Sequence, residues 1–138
     1  MAKKQTQKQT QKELDLKVEC ALWFRNLRET NNRTFLPLFW DEHRYLVLKG
    51  GGGSGKSIFA GRKILERAIT EPGHRFLVCR KVARTLRESC FKQLLGQLMD
   101  FYPDSGYKAN KSDLAISFRN GSEIIFAGLD DVEKLKSI

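Results

Sequence analysis

The pattern of apolar and polar positions becomes regular from residue 45 onward. Residues 45–48 are a short apolar run rich in β-forming side chains, which predicts a buried parallel strand. A run of glycines follows. Residues 56–71 then place apolar side chains on one broad helical face, at Ile58, Phe59, Ile64, Leu65, Ala68 and Ile69. Pro72 and Gly73 predict the end of this helix.

The same order of elements is repeated in the next stretch of the chain. Residues 76–79 are a second apolar run and predict a second buried strand. Residues 83–99 predict an amphipathic helix, because apolar side chains recur every four residues at Leu86, Cys90, Leu94 and Leu98. Alternation of buried-type strands with helices predicts an α/β fold, with a parallel-sheet core and helices on both faces.

Residues 114–126 follow a different pattern. Leu114, Ile116 and Phe118 alternate with polar residues, and a second apolar run begins at Ile124. The Asn-Gly pair at residues 120–121 lies between the two runs, which predicts a β-hairpin. Asp130 or Asp131 is predicted to cap a helix that begins in residues 132–138. The pattern stops partway through such a fold, so we expect the domain to be incomplete at its C-terminus.

The N-terminal part of the chain is less regular. Residues 1–12 are low-complexity Gln, Thr and Lys, which predicts a disordered basic arm that touches DNA loosely or is simply solvated. In residues 13–39, Leu14 and Val18 fit a helical stripe but also a strand alternation, and the sequence leaves both readings open. We expect residues 13–138 to form the N-terminal part of one domain.

Composition narrows the class of partner. The chain has 138 residues, with 25 Lys and Arg against 16 Asp and Glu, a net charge of +9. This balance favours polyanions, nucleic acid first and an anionic membrane surface second. No apolar run reaches the roughly 18 residues of a membrane span, and the basic N-terminus lacks the apolar region expected of a secretory signal. The cysteines, at 20, 79 and 90, form no metal-binding pattern with His43 or His74. These features indicate a cytoplasmic protein.

Residues 50–57 read GGGGSGKS and match the Walker A pattern G-x-x-x-x-G-K-[ST]. Glycines let successive backbone N–H groups approach phosphate oxygens, and the helix that follows adds its N-terminal dipole. We therefore predict that the phosphates of ATP bind to this loop. Lys56 is the predicted catalytic residue and contacts the β- and γ-phosphates, and the Ser57 hydroxyl is a predicted ligand of Mg²⁺. The predicted nucleotide-binding residues are Gly50, Gly51, Gly52, Gly53, Ser54, Gly55, Lys56 and Ser57. A flexible glycine linker is the alternative, but a linker would not lie between a buried strand and an amphipathic helix.

A basic cluster follows the second predicted strand, at Arg80, Lys81, Arg84 and Arg87. In doubly wound sheets, the carboxyl ends of strands line the ligand crevice, so these side chains are candidate contacts to phosphate or DNA. For Arg84 and Arg87 a solvated helix face is an equal alternative. The strand is followed by Arg80 and Lys81 and not by a carboxylate. This organisation resembles the translocase and helicase branch of the P-loop NTPases.

Three segments together resemble one family. RYLVLKGG leads into the Walker A loop at residues 44–51, VCRKVA with LRES occupies 78–89, and FAGLDDVEKLK occupies 126–136. This combination resembles the N-terminal ATPase domain of the large terminase subunit of tailed bacteriophages, over about residues 40–138. The Walker A loop alone is unspecific, whereas the Gly-Leu-Asp-Asp segment is much less common.

The resemblance implies a viral DNA-packaging motor that couples ATP hydrolysis to movement of double-stranded DNA into proheads. It implies ATP and Mg²⁺ as cofactors. The implied partners are double-stranded DNA, the portal protein, the small terminase subunit and further copies of the chain, in the host cytoplasm at the prohead. The family's Walker B carboxylate, catalytic glutamate and nuclease domain are expected beyond residue 138. The chain alone is therefore expected to bind nucleotide weakly and to hydrolyse little.

One residue departs from the family's pattern. Members often carry an arginine in the glycine run, where this chain has Gly52, so a charge-stabilising arginine has to come from elsewhere, such as a neighbouring subunit. Asp130 or Asp131 as the Walker B carboxylate is disfavoured, because Gly128 and Leu129 separate them from the apolar run. The alternatives are another P-loop nucleic-acid motor (a helicase or recombination ATPase), a basic DNA-binding module with a vestigial nucleotide site, and, more distantly, a small-molecule kinase.

Overall fold

The structure, a computed structural model, describes residues 25–26, 29–101 and 106–136. The predicted arm at 1–12 and residues 13–24 of the ambiguous segment 13–39 lie outside the described residues. In chain order the elements are a 3₁₀ helix (Arg33–Trp40), α1 (Lys56–Thr70), β1 (Arg75–Arg80), α2 (Ala83–Leu86), a π turn (Arg87–Phe91), α3 (Lys92–Phe101), β2 (Tyr107–Asn110), β3 (Ala115–Phe118), β4 (Glu123–Gly128) and α4 (Val132–Lys136). The α/β class is confirmed.

The four strands form one mixed sheet in the order β1-β4-β3-β2. β4 runs parallel to β1, but it is antiparallel to β3, and β3 is antiparallel to β2. The predicted parallel core is therefore wrong except for the β1–β4 pair. The physical reason is the length of the connections: tight turns join β2, β3 and β4 and permit only antiparallel pairing, whereas the helices between β1 and β4 permit a parallel return. Strand β2 had no counterpart in the sequence prediction.

The predicted hairpin is confirmed as β3 and β4, and side chains of its turn also cap the C-terminus of α1. The Asn120 amide donates to the main-chain oxygens of Ala68 and Ile69, at 2.9 and 3.1 Å. The Ser122 hydroxyl donates to the oxygen of Glu71 at 2.7 Å. These bonds satisfy carbonyls that a helix leaves without intrahelical partners at its C-terminus. The hairpin and α1 are thereby held together at one edge of the domain.

The strand predicted at residues 45–48 is not formed. Tyr45 is 76% exposed and Val47 is 87% exposed, and the segment pairs with no strand in the described part of the chain. An apolar, β-prone run shows only that a segment has side chains to bury. A strand also needs a neighbouring backbone to take its N–H and C=O groups, and local sequence does not supply one.

One face of the sheet packs against α1, α2 and α3. Phe91 meets Phe126 edge to face, with ring centroids 5.2 Å apart and planes at 80°. The predicted α1 helix is confirmed, although Ile58 is 44% exposed. The buried core comprises Phe39, Phe59, Leu65, Ala68, Leu86, Phe91, Leu94, Leu98, Ile116, Phe118, Ile124 and Phe126.

The helix predicted over residues 83–99 is confirmed with one difference. A π turn at Arg87–Phe91 lies between α2 and α3. A π turn adds a residue to the helical repeat, so the apolar spacing of four is interrupted. Phe91 is consequently buried at 3% exposure, while Cys90, which the spacing placed in the core, is only partly buried.

The second face of the sheet is only partly covered. Leu77, which pairs with Ile125 across β1 and β4, is 46% exposed. Helix α4 contacts β4 on this side, where Glu133 and Lys134 line a shallow pocket of about 610 Å³ with Ile125 and Ala115. Helices therefore lie on both faces, but the second carries only the short α4. Among the described helices, none has the length and hydropathy needed to cross a membrane.

Candidate functional site

The Walker A loop leads directly into the N-terminus of α1. Gly53 and Gly55 have φ of 73° and 86°, a backbone conformation that a β-carbon disfavours, so glycine is needed at both positions. Gly55 is the N-cap residue and provides no side-chain hydrogen bond, and the first turn of α1 contains no acidic residue. The N–H groups of this turn and the positive end of the helix dipole are therefore left available to an anion.

Lys56 folds back onto the loop that precedes it. Its Nζ donates to the main-chain oxygens of Gly50 and Gly51, at 2.9 and 2.6 Å, and to the Ser54 hydroxyl at 2.8 Å. These three acceptors are neutral. A phosphate oxygen would offer a charge-assisted hydrogen bond in their place, which is about twice as strong. The ammonium group is thus held inside the loop where an anion can recruit it.

The other loop glycines differ in what surrounds them. A β-carbon added at Gly50 would lie 3.3 Å from the Ser54 hydroxyl, whereas one added at Gly51 or Gly52 would meet nothing within 4 Å. Packing within the chain therefore does not require glycine at these last two positions. Gly52 stands where the resemblance places an arginine in other family members, and a β-carbon there would meet no atom within 4 Å.

The 3₁₀ helix packs against the first turn of α1 and lies next to the Walker A loop. Phe35 stacks on Phe59 of α1 with ring centroids 5.0 Å apart, and Phe39 meets the same ring edge to face, also at 5.0 Å. A β-carbon at Gly55 would lie 3.7 Å from Phe35. Lys63 fixes the end of the 3₁₀ helix, because its Nζ donates to the main-chain oxygens of residues 38 and 41, at 2.6 Å each.

The sequence pattern left the structure of residues 13–39 open and did not predict this 3₁₀ helix. A signal was present: the Asn32 side chain accepts a hydrogen bond from the Thr34 N–H at 3.1 Å, the arrangement of a helix cap. The apolar residues that follow Asn32 share one helical face and pack on α1. Pro37 does not prevent this, because the helix is of the 3₁₀ type and short.

A separate cleft of about 510 Å³ lies between the end of the 3₁₀ helix and α1, and it includes Trp40, Asp41, His43 and Lys63. Hydrogen bonds from the His43 backbone N–H and ring hold the pKa of Asp41 below its ordinary value. No Walker A residue lines this cleft, so it is distinct from the loop.

Residues that could hold a metal ion are few. Within the described ranges, no group of three or more His, Cys, Asp or Glu side chains comes together. Ser57, the predicted Mg²⁺ ligand, is exposed at the second position of α1. A single hydroxyl suits an ion that takes its other ligands from nucleotide phosphates and water, as Mg²⁺ commonly does.

The basic cluster lies at the carboxyl ends of β1 and β4, where Arg80 is opposite Gly128. Arg80 and Lys81 occupy the strand end, as expected, and Arg84 and Arg87 follow on the helical segment. All four are exposed, and none forms an ion pair with another described residue. No hydrogen bond joins this cluster to the Walker A loop in the part of the chain described.

The two aspartates after β4 both cap helices, but not the same helix. Asp131 Oδ1 accepts from the backbone N–H of Lys134 at 3.1 Å, which confirms the predicted cap of α4. Asp130 Oδ1 accepts from the backbone N–H of Ala83 at 2.9 Å, at the start of α2 and 47 residues away in sequence. This second role was missed, because nothing local links the two positions. The contacts favour structural roles over a Walker B role for both carboxylates.

Substitution of Asp130 separates these two roles. We expect Asp130→Ala to lower the free energy of unfolding by about 1 kcal/mol, the usual effect of losing a helix cap, and Asp130→Asn to preserve most of it. Affinity for Mg-ATP should be unchanged in Asp130→Asn. Urea unfolding and calorimetric titration provide the two measurements, with Asp131→Asn as the matched control. Loss of Mg²⁺-dependent nucleotide binding in a stable Asp130→Asn variant would instead assign this carboxylate to the metal.

The chain was compared with known proteins. The family model described as phage terminase large subunit matches residues 42–138. The large terminase subunit of Bacillus phage SPP1 is 39% identical over 98 residues, which cover 70% of this chain and 23% of that protein. The PBSX phage terminase large subunit of Bacillus subtilis strain 168 is 35% identical over 97 residues, covering 70% and 22%. The chain thus spans less than a quarter of the length of either relative.

Proposed function

The chain belongs to the phage terminase large subunit family, and on this basis we propose that it is the ATP-binding part of a DNA-packaging motor. One observation carries the proposal: the loop at residues 50–57 presents an uncapped helix N-terminus together with the Lys56 ammonium. Both groups favour a polyphosphate. In the motor, hydrolysis of Mg-ATP drives double-stranded DNA into proheads.

Each residue of the loop has a defined part in this proposal. The N–H groups of the first turn of α1 bind phosphate oxygens, and Lys56 transfers its hydrogen bonds from Gly50 and Gly51 to the β- and γ-phosphates. The Ser57 hydroxyl provides one ligand to Mg²⁺, which neutralises charge between the two phosphates. Because Gly52 lacks a cationic side chain, an arginine from a neighbouring subunit stabilises the charge that develops during hydrolysis.

The proposal extends to the fold and the partners. The finer assignment is a P-loop ATPase of the translocase and helicase branch, supported by the parallel β1–β4 pair and by Arg80 and Lys81 at the end of β1. The partners are double-stranded DNA, the portal protein, the small terminase subunit and other copies of the chain, in the host cytoplasm at the prohead. The net charge of +9 supports the nucleic-acid partner.

Nucleotide binding and turnover test the proposal. We expect calorimetry to detect weak binding of Mg-ATP and Mg-ADP, and steady-state phosphate release to stay low with or without double-stranded DNA. The reason is that hydrolysis needs a Mg²⁺-side carboxylate and a water-orienting glutamate, whereas the candidate carboxylates Asp130 and Asp131 each accept a hydrogen bond from a helix backbone N–H. Absence of nucleotide binding would refute the proposal. ATP turnover that depends on Lys56 would show that the chain contains a complete catalytic set. It would also favour Asp130 or Asp131 as the Walker B carboxylate.

The exposed basic cluster favours a second candidate, a DNA-binding module whose nucleotide site is vestigial. Such a module would bind DNA with the same affinity whether or not nucleotide is present, whereas a motor would couple the two. A different nucleic-acid motor, such as a helicase or recombination ATPase, shares the loop and the cluster. A helicase would separate the strands of duplex DNA, whereas a packaging motor would move along intact duplex, so a strand-separation assay distinguishes the two.

If the basic cluster at Arg80 and Lys81 binds DNA phosphates, the affinity for DNA depends on salt concentration through these two residues. We expect the double variant Arg80→Ser/Lys81→Ser to weaken duplex DNA binding and to reduce the slope of log K against log salt by about 2, because each phosphate contact contributes nearly one unit. Fluorescence anisotropy across a salt series measures the slope. Lys108→Ser/Lys111→Ser removes the same charge from exposed positions in the β2–β3 hairpin and is the matched control. Equal effects of the two double variants would show that only net charge matters.

A further inference from the structure

The Lys56 ammonium uses all of its donors inside the Walker A loop. An ammonium group has three N–H donors and no acceptor. In Lys56 these donors reach the main-chain oxygens of Gly50 and Gly51, at 2.9 and 2.6 Å, and the Ser54 hydroxyl oxygen, at 2.8 Å. The ammonium can therefore contact phosphate oxygens only when some of these bonds are given up. The acceptor that stays bonded during the exchange sets the position of the ammonium relative to the phosphates.

The three acceptors differ in how freely they can move. The oxygens of Gly50 and Gly51 belong to the backbone, whereas the Ser54 oxygen lies on a side chain that can change its χ1 angle. The Ser54 backbone itself is held between Gly53, with φ of 73°, and Gly55, the N-cap of α1, with φ of 86°. The Ser54 hydroxyl is thus anchored beside the start of α1, and it alone among the three acceptors can turn to follow the ammonium.

Packing holds the hydroxyl and the ammonium together. A β-carbon added at Gly50 would lie 3.3 Å from Ser54 Oγ and 3.7 Å from Lys56 Nζ, so both groups lie against the backbone of residue 50. Ser54 and Lys56 are both partly buried, whereas Ser57 is exposed. A hydrogen bond that is partly shielded from water is electrostatically stronger than an exposed one. The bond from Lys56 to Ser54 is therefore suited to persist while the ammonium changes its other partners.

We propose that the Ser54 hydroxyl positions Lys56 for nucleotide: it keeps one hydrogen bond to Nζ while the other two move from Gly50 and Gly51 to the phosphates. This inference rests on the proposed function, because it concerns the same nucleotide site. Ser54 acts through Lys56 and is a positioning residue. A lysine side chain loses much rotamer freedom when it is ordered, and a bond present before and after binding reduces that loss. The Walker A pattern allows any residue at position 54, so the pattern assigns this hydroxyl no role.

Titration of the full chain with Mg-ATP tests the role of the hydroxyl. We expect Ser54→Ala to weaken binding by about tenfold, because one hydrogen bond from a charged donor is lost from the bound state. Ser54→Thr keeps a hydroxyl on the same carbon and should retain most of the affinity. Ser89→Ala is the matched control and should bind as the unsubstituted chain does. Ser89 is also partly buried, but its hydroxyl donates to the main-chain oxygen of Thr85.

Two further measurements show whether Ser54 acts through Lys56. In a double-mutant cycle, Ser54→Ala should have little effect on the affinity once Lys56 is replaced by methionine. The second measurement is the ¹⁵N NMR signal of the Lys56 ammonium, assigned by its loss in Lys56→Met. With Mg-ATP bound, its protons should exchange with water at least about fivefold faster in Ser54→Ala, because one N–H has lost its acceptor in the protein.

The outcomes separate this inference from the proposed function. If the unsubstituted chain does not bind Mg-ATP, the proposed function is refuted and the positioning role with it. If the unsubstituted chain binds and Ser54→Ala binds equally well or more tightly, only the positioning role of Ser54 is overturned. An equal loss of affinity in the Lys56→Met background would overturn it too, because the hydroxyl would then act on the nucleotide directly. Urea unfolding verifies that Ser54→Ala keeps the fold.

Discussion

Replacing Lys56 by alanine should lower the affinity for Mg-ATP by about a hundredfold, because a hydrogen bond from a charged donor contributes up to about 3 kcal/mol. Two effects act together. The variant loses the cation that reaches the phosphates, and the loop loses the donor that holds the oxygens of Gly50 and Gly51 and the Ser54 hydroxyl. Calorimetric titration with Mg-ATP measures the change, and urea unfolding verifies that the fold is kept.

Two further variants show whether position or charge is responsible. Lys49→Ala removes the same charge from an exposed residue next to the loop, and we expect its affinity to change little. Lys56→Arg keeps the charge on a larger planar group that does not fit the same three acceptors, so most of the affinity should be lost. If Lys49→Ala weakens binding as much as Lys56→Ala, then general attraction and not the Walker A loop holds the nucleotide.

Replacing Gly128 by alanine should lower the free energy of unfolding by about 3 kcal/mol, at the upper end of the range for overpacked cores. A β-carbon at this position would lie 2.2 Å from Asp130 Oδ1 and 2.5 Å from the backbone nitrogen of Ala83. These are the two atoms of the hydrogen bond that caps α2. The methyl group therefore separates α2 from the sheet and removes the cap at once. Urea or thermal unfolding measures the loss.

A second glycine provides a control of opposite sign. Gly96 lies within α3, and a β-carbon there would meet nothing within 4 Å. Gly96→Ala should raise the free energy of unfolding by about 0.5–1 kcal/mol, because alanine loses less backbone entropy in a helix. A stable Gly128→Ala variant, or similar effects at the two positions, would show that α2 does not need close contact with the end of β4.

The close contact at Gly128 gives a physical account of the Gly-Leu-Asp-Asp segment. Gly128 lets the backbone of α2 approach the end of β4, Asp130 caps α2, and Asp131 caps α4. The segment therefore fixes the start of two helices relative to the carboxyl ends of β1 and β4. Arg80 is the last residue of β1 and Lys81 follows it before α2, so the positions of both residues depend on this junction.

The sequence by itself determined the elements whose signals are local. The glycine pattern with Lys56 and Ser57 specifies a loop that enters a helix, since positive φ and an uncapped N-terminus follow from the residues themselves. The apolar spacing of α1, the run that forms β1 and the Asn-Gly hairpin were likewise correct, as was the cap by Asp131. Each depends on interactions within a few residues of chain.

Only the tertiary structure decided which segments meet. It left residues 45–48 unpaired and made the sheet mixed, because strand pairing depends on a neighbouring backbone. It also set Phe91 in the core through the π turn and brought Asp130 to α2 across 47 residues. The 3₁₀ helix below the loop forms because Phe35 and Phe39 find Phe59. Hydrophobic burial and backbone hydrogen bonding between distant segments are properties of the whole chain, and short-range sequence patterns do not contain them.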